Sequence, residues 1–178
     1  MDHPDHRFDA DYEEVLVLRN GTEAKLRLIR PEDKKLILDG LQSMSPESRY
    51  RRFFTQRDGL SESELVYLTE LDHEMHFAIG AATTEADGSQ VGLGVARFIR
   101  SAADPTLAEA AIAVVDSAHG QGLGRQLFVR LVDAAVERNV RTFRCEMLAK
   151  NDAMLKLLES LFGKLTIRPE SGLVVVDC

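Results

Sequence analysis

The chain has 178 residues, 44% of them hydrophobic and 29% charged, which suits one domain with a substantial core and excludes a mainly disordered, collagenous or coiled-coil chain. Its 22 Lys plus Arg against 29 Asp plus Glu leave a net charge of -7, which argues against a sequence-independent grip on nucleic acid and tolerates cationic partners such as amines. No apolar run approaches a membrane span, the first residues lack the apolar core of a secretion signal, and Cys145 and Cys178 show neither a disulfide framework nor metal-ligand spacing. A cytoplasmic protein with no membrane partner and no metal is therefore expected.

The acidic stretch 1–14, with Pro4, reads as a flexible tail ahead of a single domain over 15–178. Val15 to Leu18, a turn at Asn20-Gly21 and Ala24 to Ile29 predict a β-hairpin from their alternation. Pro31 suits a first helical turn, and Leu36, Ile37, Leu41 and Met44 form one helical stripe. A second helical piece follows Pro46, and a third opens at Ser61 with Glu64 completing a capping box. The period then changes. Phe77 to Thr83 and Val91 to Ile99, joined at Asp87-Gly88, predict two strands, and Ala108 to Val115 a third. A helix from about Gly122 to Arg138, a strand over Thr142 to Leu148 and a helix over Asp152 to Phe162 follow. Leu165 to Ile167 and Leu173 to Val176 close the chain as a hairpin across Pro169 to Gly172. This order predicts an α/β fold, a mixed sheet with helices on its faces.

The most informative segment runs from the apolar strand through His119-Gly120-Gln121-Gly122-Leu123-Gly124 directly into a helix. Glycines there let backbone amides approach an anion, and successive N–H groups at a helix N-terminus, with the dipole behind them, bind phosphate or pyrophosphate. A side chain at Gly122 or Gly124 is expected to fill that space. The spacing is neither a Walker loop nor a dinucleotide fingerprint. The plain alternative is a tight turn that packs a helix on a sheet.

Strand, loop and helix together resemble the acyl-CoA binding motif of the Gcn5-related N-acetyltransferase (GNAT) family, Gln/Arg-x-x-Gly-x-Gly/Ala. Asn151 followed by Met154, Leu155 and Leu158, with Leu161-Phe162-Gly163 where the family usually has Leu-Gly-Phe, resembles its next motif. Leu18 to Gly21, Ile29 to Asp33 and Ser45 to Phe54 resemble the acetyltransferase domain of bacterial protein lysine acetyltransferases that modify acyl-CoA synthetases. The resemblance implies a mostly antiparallel GNAT-like sheet with helices on both faces, and acetyl-CoA as cosubstrate. It further implies an acceptor amine, a protein lysine such as one on an acyl-CoA synthetase, with a small amine as the alternative. A non-catalytic acyl-CoA sensing or interaction module is the rival. Two departures stand out: His119 replaces Gln or Arg, and Leu158 occupies the place where many members carry a tyrosine that can protonate the leaving thiolate.

Transfer from a thioester to an amine needs a neutral amine, a polarised carbonyl and release of the thiolate. Glu109, at the head of the strand leading to the loop, is the candidate general base, since the family's lysine acetyltransferases carry a glutamate there. Burial beside Leu107, Ile112 and the acyl chain is expected to make it a stronger base. For the cofactor, Ala113, Val114 and Val115 are expected to offer backbone groups to the pantetheine and an N–H to the thioester oxygen. Gly120, Gln121, Gly122, Leu123 and Gly124 are expected to hold the pyrophosphate. Arg125 could meet a phosphate or face solvent, and Asn151 could orient the pantetheine or cap its helix. The cluster Arg49, Arg51, Arg52 and Arg57 reads as a face that pairs with carboxylates, with an anion site as the sharper alternative. His73-Glu74-Met75-His76 lacks zinc-protease spacing, and Cys145 reads as a small core residue.

Overall fold

The computed structural model describes residues 7–178. Strands β1 (Glu13–Val17) and β2 (Glu23–Leu28) are followed by helices α1 (Lys34–Ser43), α2 (Pro46–Phe53) and α3 (Glu62–Thr69). Then come β3 (His76–Thr84), β4 (Gln90–Arg100), β5 (Leu107–Val114), α4 (Leu123–Glu137), β6 (Thr142–Leu148), α5 (Asp152–Phe162), β7 (Thr166–Glu170) and β8 (Leu173–Asp177). The strands form one sheet in the order β1-β2-β3-β4-β5-β6-β8-β7. Every neighbouring pair is antiparallel except β5 and β6. No helix among the described residues is long and apolar enough to cross a membrane.

Local chemistry accounts for the element ends. Gly21, at φ +86°, closes the first hairpin in a conformation that costs other residues a clash at Cβ. Ser61 and Glu64 form the reciprocal capping box at the start of α3, and the Ser45 side chain accepts from Ser48 N at the start of α2. The closing hairpin differs from its sequence reading: β7 continues through Pro169 to Glu170. Proline is tolerated there because β7 is the sheet's edge strand, where its missing N–H leaves no ladder bond unmade.

Both faces of the sheet are covered. On one, Phe77 and Phe98 stack at 5.2 Å, and Phe128 of α4 meets Phe143 edge-on. On the other, the sheet packs under α1, whose Leu36 backbone lies close over Gly92. Residues 7–14 depart from the expected flexible tail. Phe8 is fully buried, its ring 4.6 Å from that of Tyr12, and Arg138 donates to its carbonyl at 2.9 Å. Glu14 accepts two bonds from Arg130 of α4. Burial, then the hydrogen bond to Glu14, pushes the Tyr12 phenol up to about 12. Two aromatics four residues apart within an acidic stretch were the overlooked signal; residues 1–6 lie outside the described residues.

One buried ion pair ties β2 to the start of α1. Arg27 donates two bonds to Asp33, both 2.7 Å, and Arg30 N–H adds a third at 2.8 Å; Asp33 is 3% exposed. Burial by itself would raise the Asp33 carboxyl, but the bonds from Arg27 and Arg30 outweigh it and hold the group below its usual value. The stabilisation is therefore full above the unfolded-state value, near pH 4, and is lost as pH falls through the depressed folded value. Asp33→Asn is expected to cost about 3–5 kcal/mol at neutral pH, because it leaves Arg27 buried without its counter-charge. Urea unfolding of both proteins at pH 7 and pH 3 checks this: the difference should shrink at the lower pH.

Candidate active site

The sheet opens between β5 and β6. Their parallel pairing covers only Leu107–Glu109 against Thr142–Arg144, after which the strands part. Which backbone groups face the opening follows from strand parity. Val115 N–H bonds Leu93 and the Leu107 carbonyl accepts from Ser101, so the odd-numbered residues of β5 turn their polar groups towards β4. Ala110, Ile112 and Val114 therefore turn theirs into the gap. This corrects the expectation for Ala113 and Val115, whose amides serve the β4 ladder. Ile112, read in the sequence only as a neighbour that buries Glu109, turns its backbone groups into the gap instead; counting parity from the turn would have found this.

The glycine loop closes one end of this gap. Gly120 and Gly122 adopt φ +71° and +88°, and Gly122 caps α4 with no side-chain partner for the first helical N–H groups. Those donors and the α4 dipole are thus aimed at the opening. A Cβ at Gly122 would lie 3.8 Å from Arg19 Nε, whereas one at Gly124 would meet Ile112 and Val114 side chains at 3.8 Å. Gly124 thus serves the approach of α4 to β5, and the open space lies at Gly122. His119 Nε2 lies 2.9 Å from the Val114 carbonyl, so its ring N–H donates there and ties the loop to the strand end. Asp116, just before the loop, accepts from Ser45 N–H and from Ser48 Oγ, fastening the start of α2 over the same opening.

Together these elements bound a cleft of about 670 Å³. Glu109, Ala113, Val114, Gly120, Gly122, Leu123, Gly124, Arg125 and Asn151 all line it; Val115 and Gln121 do not. The Gln121 carbonyl instead receives Arg19 N–H. Arg19, Arg51, Arg52, Arg97, Arg125 and Arg144 face the cleft with Glu109 and Glu146, so a chain of net charge -7 concentrates positive potential here. Of the basic cluster, Arg49, Arg51 and Arg57 pair with Asp58, Glu47 and Glu64 as expected, while α2 brings Arg51 and the unpaired Arg52 to the cleft. Asn151 caps α5, its side chain accepting from Met154 N at 3.3 Å, and Arg125 donates to Ser160 Oγ at 2.7 Å. The role of Arg19 was not anticipated, because only the folded loop brings it to Gly120, whose carbonyl it bonds at 3.3 Å.

The acetyltransferase (GNAT) family model matches residues 42–163. The chain belongs to this family. It is 33% identical over 160 residues to Acetyltransferase Pat of Mycolicibacterium smegmatis, covering 90% of this chain and 46% of that protein. It thus spans under half the length of that relative. It is 27% identical to Acetyltransferase PA5475 of Pseudomonas aeruginosa, over 79% of this chain and 74% of the relative. Among solved structures, the GNAT domain of S. lividans PAT superposes with a TM-score of 0.83 at 27% identity, covering 96% of this chain and 98% of that one. The fold is also that of yncA from Salmonella typhimurium, solved with its cofactor acetyl-CoA, at TM-score 0.67 and 18% identity over 87% of this chain and 92% of that one.

Within this GNAT cleft Glu109 departs from its expected burial. It is exposed, and Leu107 and Ile112 are only half-buried. Glu109 is the last β5 residue paired with β6, opposite Arg144, and past this point no strand remains to cover it. Arg144 is held above its ordinary value first by Asp177, with Glu109 contributing. Leu158 is fully buried in the core, and α5 lines the cleft with Ala153, Met154 and Leu157, none able to give a proton. Cys145 is buried. His76 bonds Arg97 and His73 packs on the Phe77 ring, so that run is a packing feature. The described residues contain no group of three or more His, Cys, Asp or Glu placed to hold a metal ion.

Proposed function

We propose that the chain is an N-acetyltransferase that moves the acetyl group of acetyl-CoA directly to an amine, with a protein lysine in the cytoplasm as acceptor. The supporting observation is the arginine-lined cleft, where the parted β5 edge meets the uncapped N-terminus of α4. The pyrophosphate would lie against the amides after Gly120, with Arg19 and Arg125 beside it. The pantetheine would pair with the free N–H and carbonyl of Ile112 and with the Val114 N–H, as a third strand would, beside Ala113 and Asn151; the Val114 carbonyl is already held by His119. The Ile112 N–H is a donor for the thioester oxygen as it gains charge. Glu109 takes a proton from the amine, directly or through water; nitrogen bonds to the carbonyl carbon, the C–S bond breaks, and the thiolate leaves to be protonated by water. The assignment of a lysine on an acyl-CoA synthetase as acceptor rests on the likeness of segments 18–21, 29–33 and 45–54 to bacterial lysine acetyltransferases. Release of coenzyme A with and without a lysine peptide, a candidate synthetase and small amines tests the reaction and its acceptor. Tight acetyl-CoA binding with no transfer to any amine would favour a sensing module.

If the phosphates are held by backbone and arginines, the His119 ring, engaged with Val114, is dispensable for binding. His119→Gln is expected to keep coenzyme A affinity within a few-fold by calorimetry. A loss of about a hundredfold would place the ring on the pyrophosphate.

A further inference from the structure

Two cationic side chains at the inner end of the cleft have no counter-charge. Arg97, on β4, is 6% exposed, and its guanidinium meets only His76 Nε2 at 3.1 Å and the Leu68 carbonyl at 3.4 Å. Arg52, on α2, is half-buried, makes no hydrogen bond and lies against the Phe53 ring at 5.0 Å. Among the described residues neither is paired with a carboxylate. Elsewhere this fold does not leave such groups alone: Arg27, Arg57 and Arg130 pair with Asp33, Glu64 and Glu14. Desolvation and then Arg52 itself push the Arg97 guanidinium down to about 10, and burial also lowers Arg52. His76, pushed down to about 4 chiefly by burial, is neutral and supplies no charge.

Both arginines sit where the cleft meets a second, largely apolar cavity of about 110 Å³ between α1 and the sheet, walled by Leu36, Ile37, Leu41 and Leu60. Two desolvated like charges facing each other are costly, and a carboxylate between them, receiving N–H bonds from both forks, would offset that cost.

We propose that Arg52 and Arg97 form a carboxylate-recognition site at the inner end of the cleft, filled by a short carboxylated chain that belongs either to the transferred acyl group or to the acceptor. The small neighbouring cavity limits that chain to a few atoms beyond the carboxylate. The proposal deepens the acetyltransferase reading and rests on it for the neighbouring cleft. The competing account makes Arg97 a brace for the Leu68 carbonyl near the end of α3, with no ligand.

Glutarate, with neutral glutaramide as control, is titrated into the full chain by calorimetry, with and without excess coenzyme A to cover the phosphate end. Glutarate should bind and glutaramide should not. Arg52→Met and Arg97→Met should each weaken glutarate at least tenfold, and Arg52→Lys should restore part of the loss. Should Arg97→Met fail to fold, Arg52→Met carries the test. Transfer from glutaryl-CoA against acetyl-CoA, and from acetyl-CoA to acceptors with a free or amidated carboxylate, then assigns the source. The arm in which Arg52→Met removes a tenfold preference identifies the carboxylate's owner. No glutarate binding to the folded parent, or binding unchanged in both methionine variants, overturns the site and leaves Arg97 as a brace. Coenzyme A binding measured on the parent judges the proposed function separately, because glutarate can bind even where coenzyme does not.

Discussion

Gly122→Glu is expected to weaken coenzyme A binding by at least about a hundredfold, roughly 2.7 kcal/mol or more, while the protein remains folded. At φ +88° with its Cβ direction 3.8 Å from Arg19 Nε, this position would send a carboxylate into the space assigned to the pyrophosphate and towards a guanidinium that faces it. The new charge repels the ligand and occupies one of its partners. The left-handed backbone costs any side chain about 1–2 kcal/mol, so a control is needed. Gly122→Ala carries the same backbone cost without the charge and should lose far less affinity. Calorimetry on both variants, with thermal unfolding to confirm the fold, decides the matter: equal losses would mean that backbone strain is the cause, and unchanged affinity in the folded Glu variant would remove the anion site from this loop.

Glu109→Gln is expected to lose about 10² to 10⁴ in acetyl transfer near neutral pH while keeping coenzyme affinity, since Gln preserves the shape and removes only the basic carboxylate. An ordinary lysine titrates near pH 10.4, so near pH 7 almost every acceptor amine must surrender a proton before it can attack. The loss should shrink as pH rises, because more of the acceptor then arrives neutral. A pH series of transfer to a lysine peptide by both proteins provides the check. Equal rates throughout would exclude Glu109 from the mechanism. Its position at the apex of the parted strands puts it beside the place where a thioester lying along β5 would end, and its exposure leaves an approaching amine, or a bridging water, free to reach it.

What was legible in the sequence was whatever short-range patterns control. Strand alternation in 24–29, the short apolar run of 77–83 ahead of Asp87-Gly88, the Ser61 to Glu64 capping box, the helical stripe after Pro31 and the glycine run entering a helix each predict a local conformation, and each forms. The left-handed turn of residues 120–122 into an uncapped helix start was legible too, because glycine conformations and caps are a property of consecutive residues. Legibility failed where a residue's role depends on a partner far along the chain. Phe8 and Tyr12 look like part of a polar tail until α4 is beside them. Arg52 looks like its neighbours Arg49 and Arg57 until α2 is fastened to Asp116 and turns it towards Arg97, 45 positions later.

By itself, then, the sequence determined the order and kind of the elements, the family likeness and the glycine loop that enters α4 uncapped, since hydrophobic period, caps and glycine conformations are decided within a few residues. Only the tertiary structure decided which edge of β5 is free. Ala113 and Ile112 are neighbours in one strand, and which of them faces an open gap depends on where β4 lies and where β6 departs. It likewise decided that Glu109 stands exposed at the apex and not buried, and that two arginines from α2 and β4 meet without a counter-charge. Burial and electrostatic pairing are properties of the packed assembly, where charges 40 or more positions apart in sequence share one desolvated space.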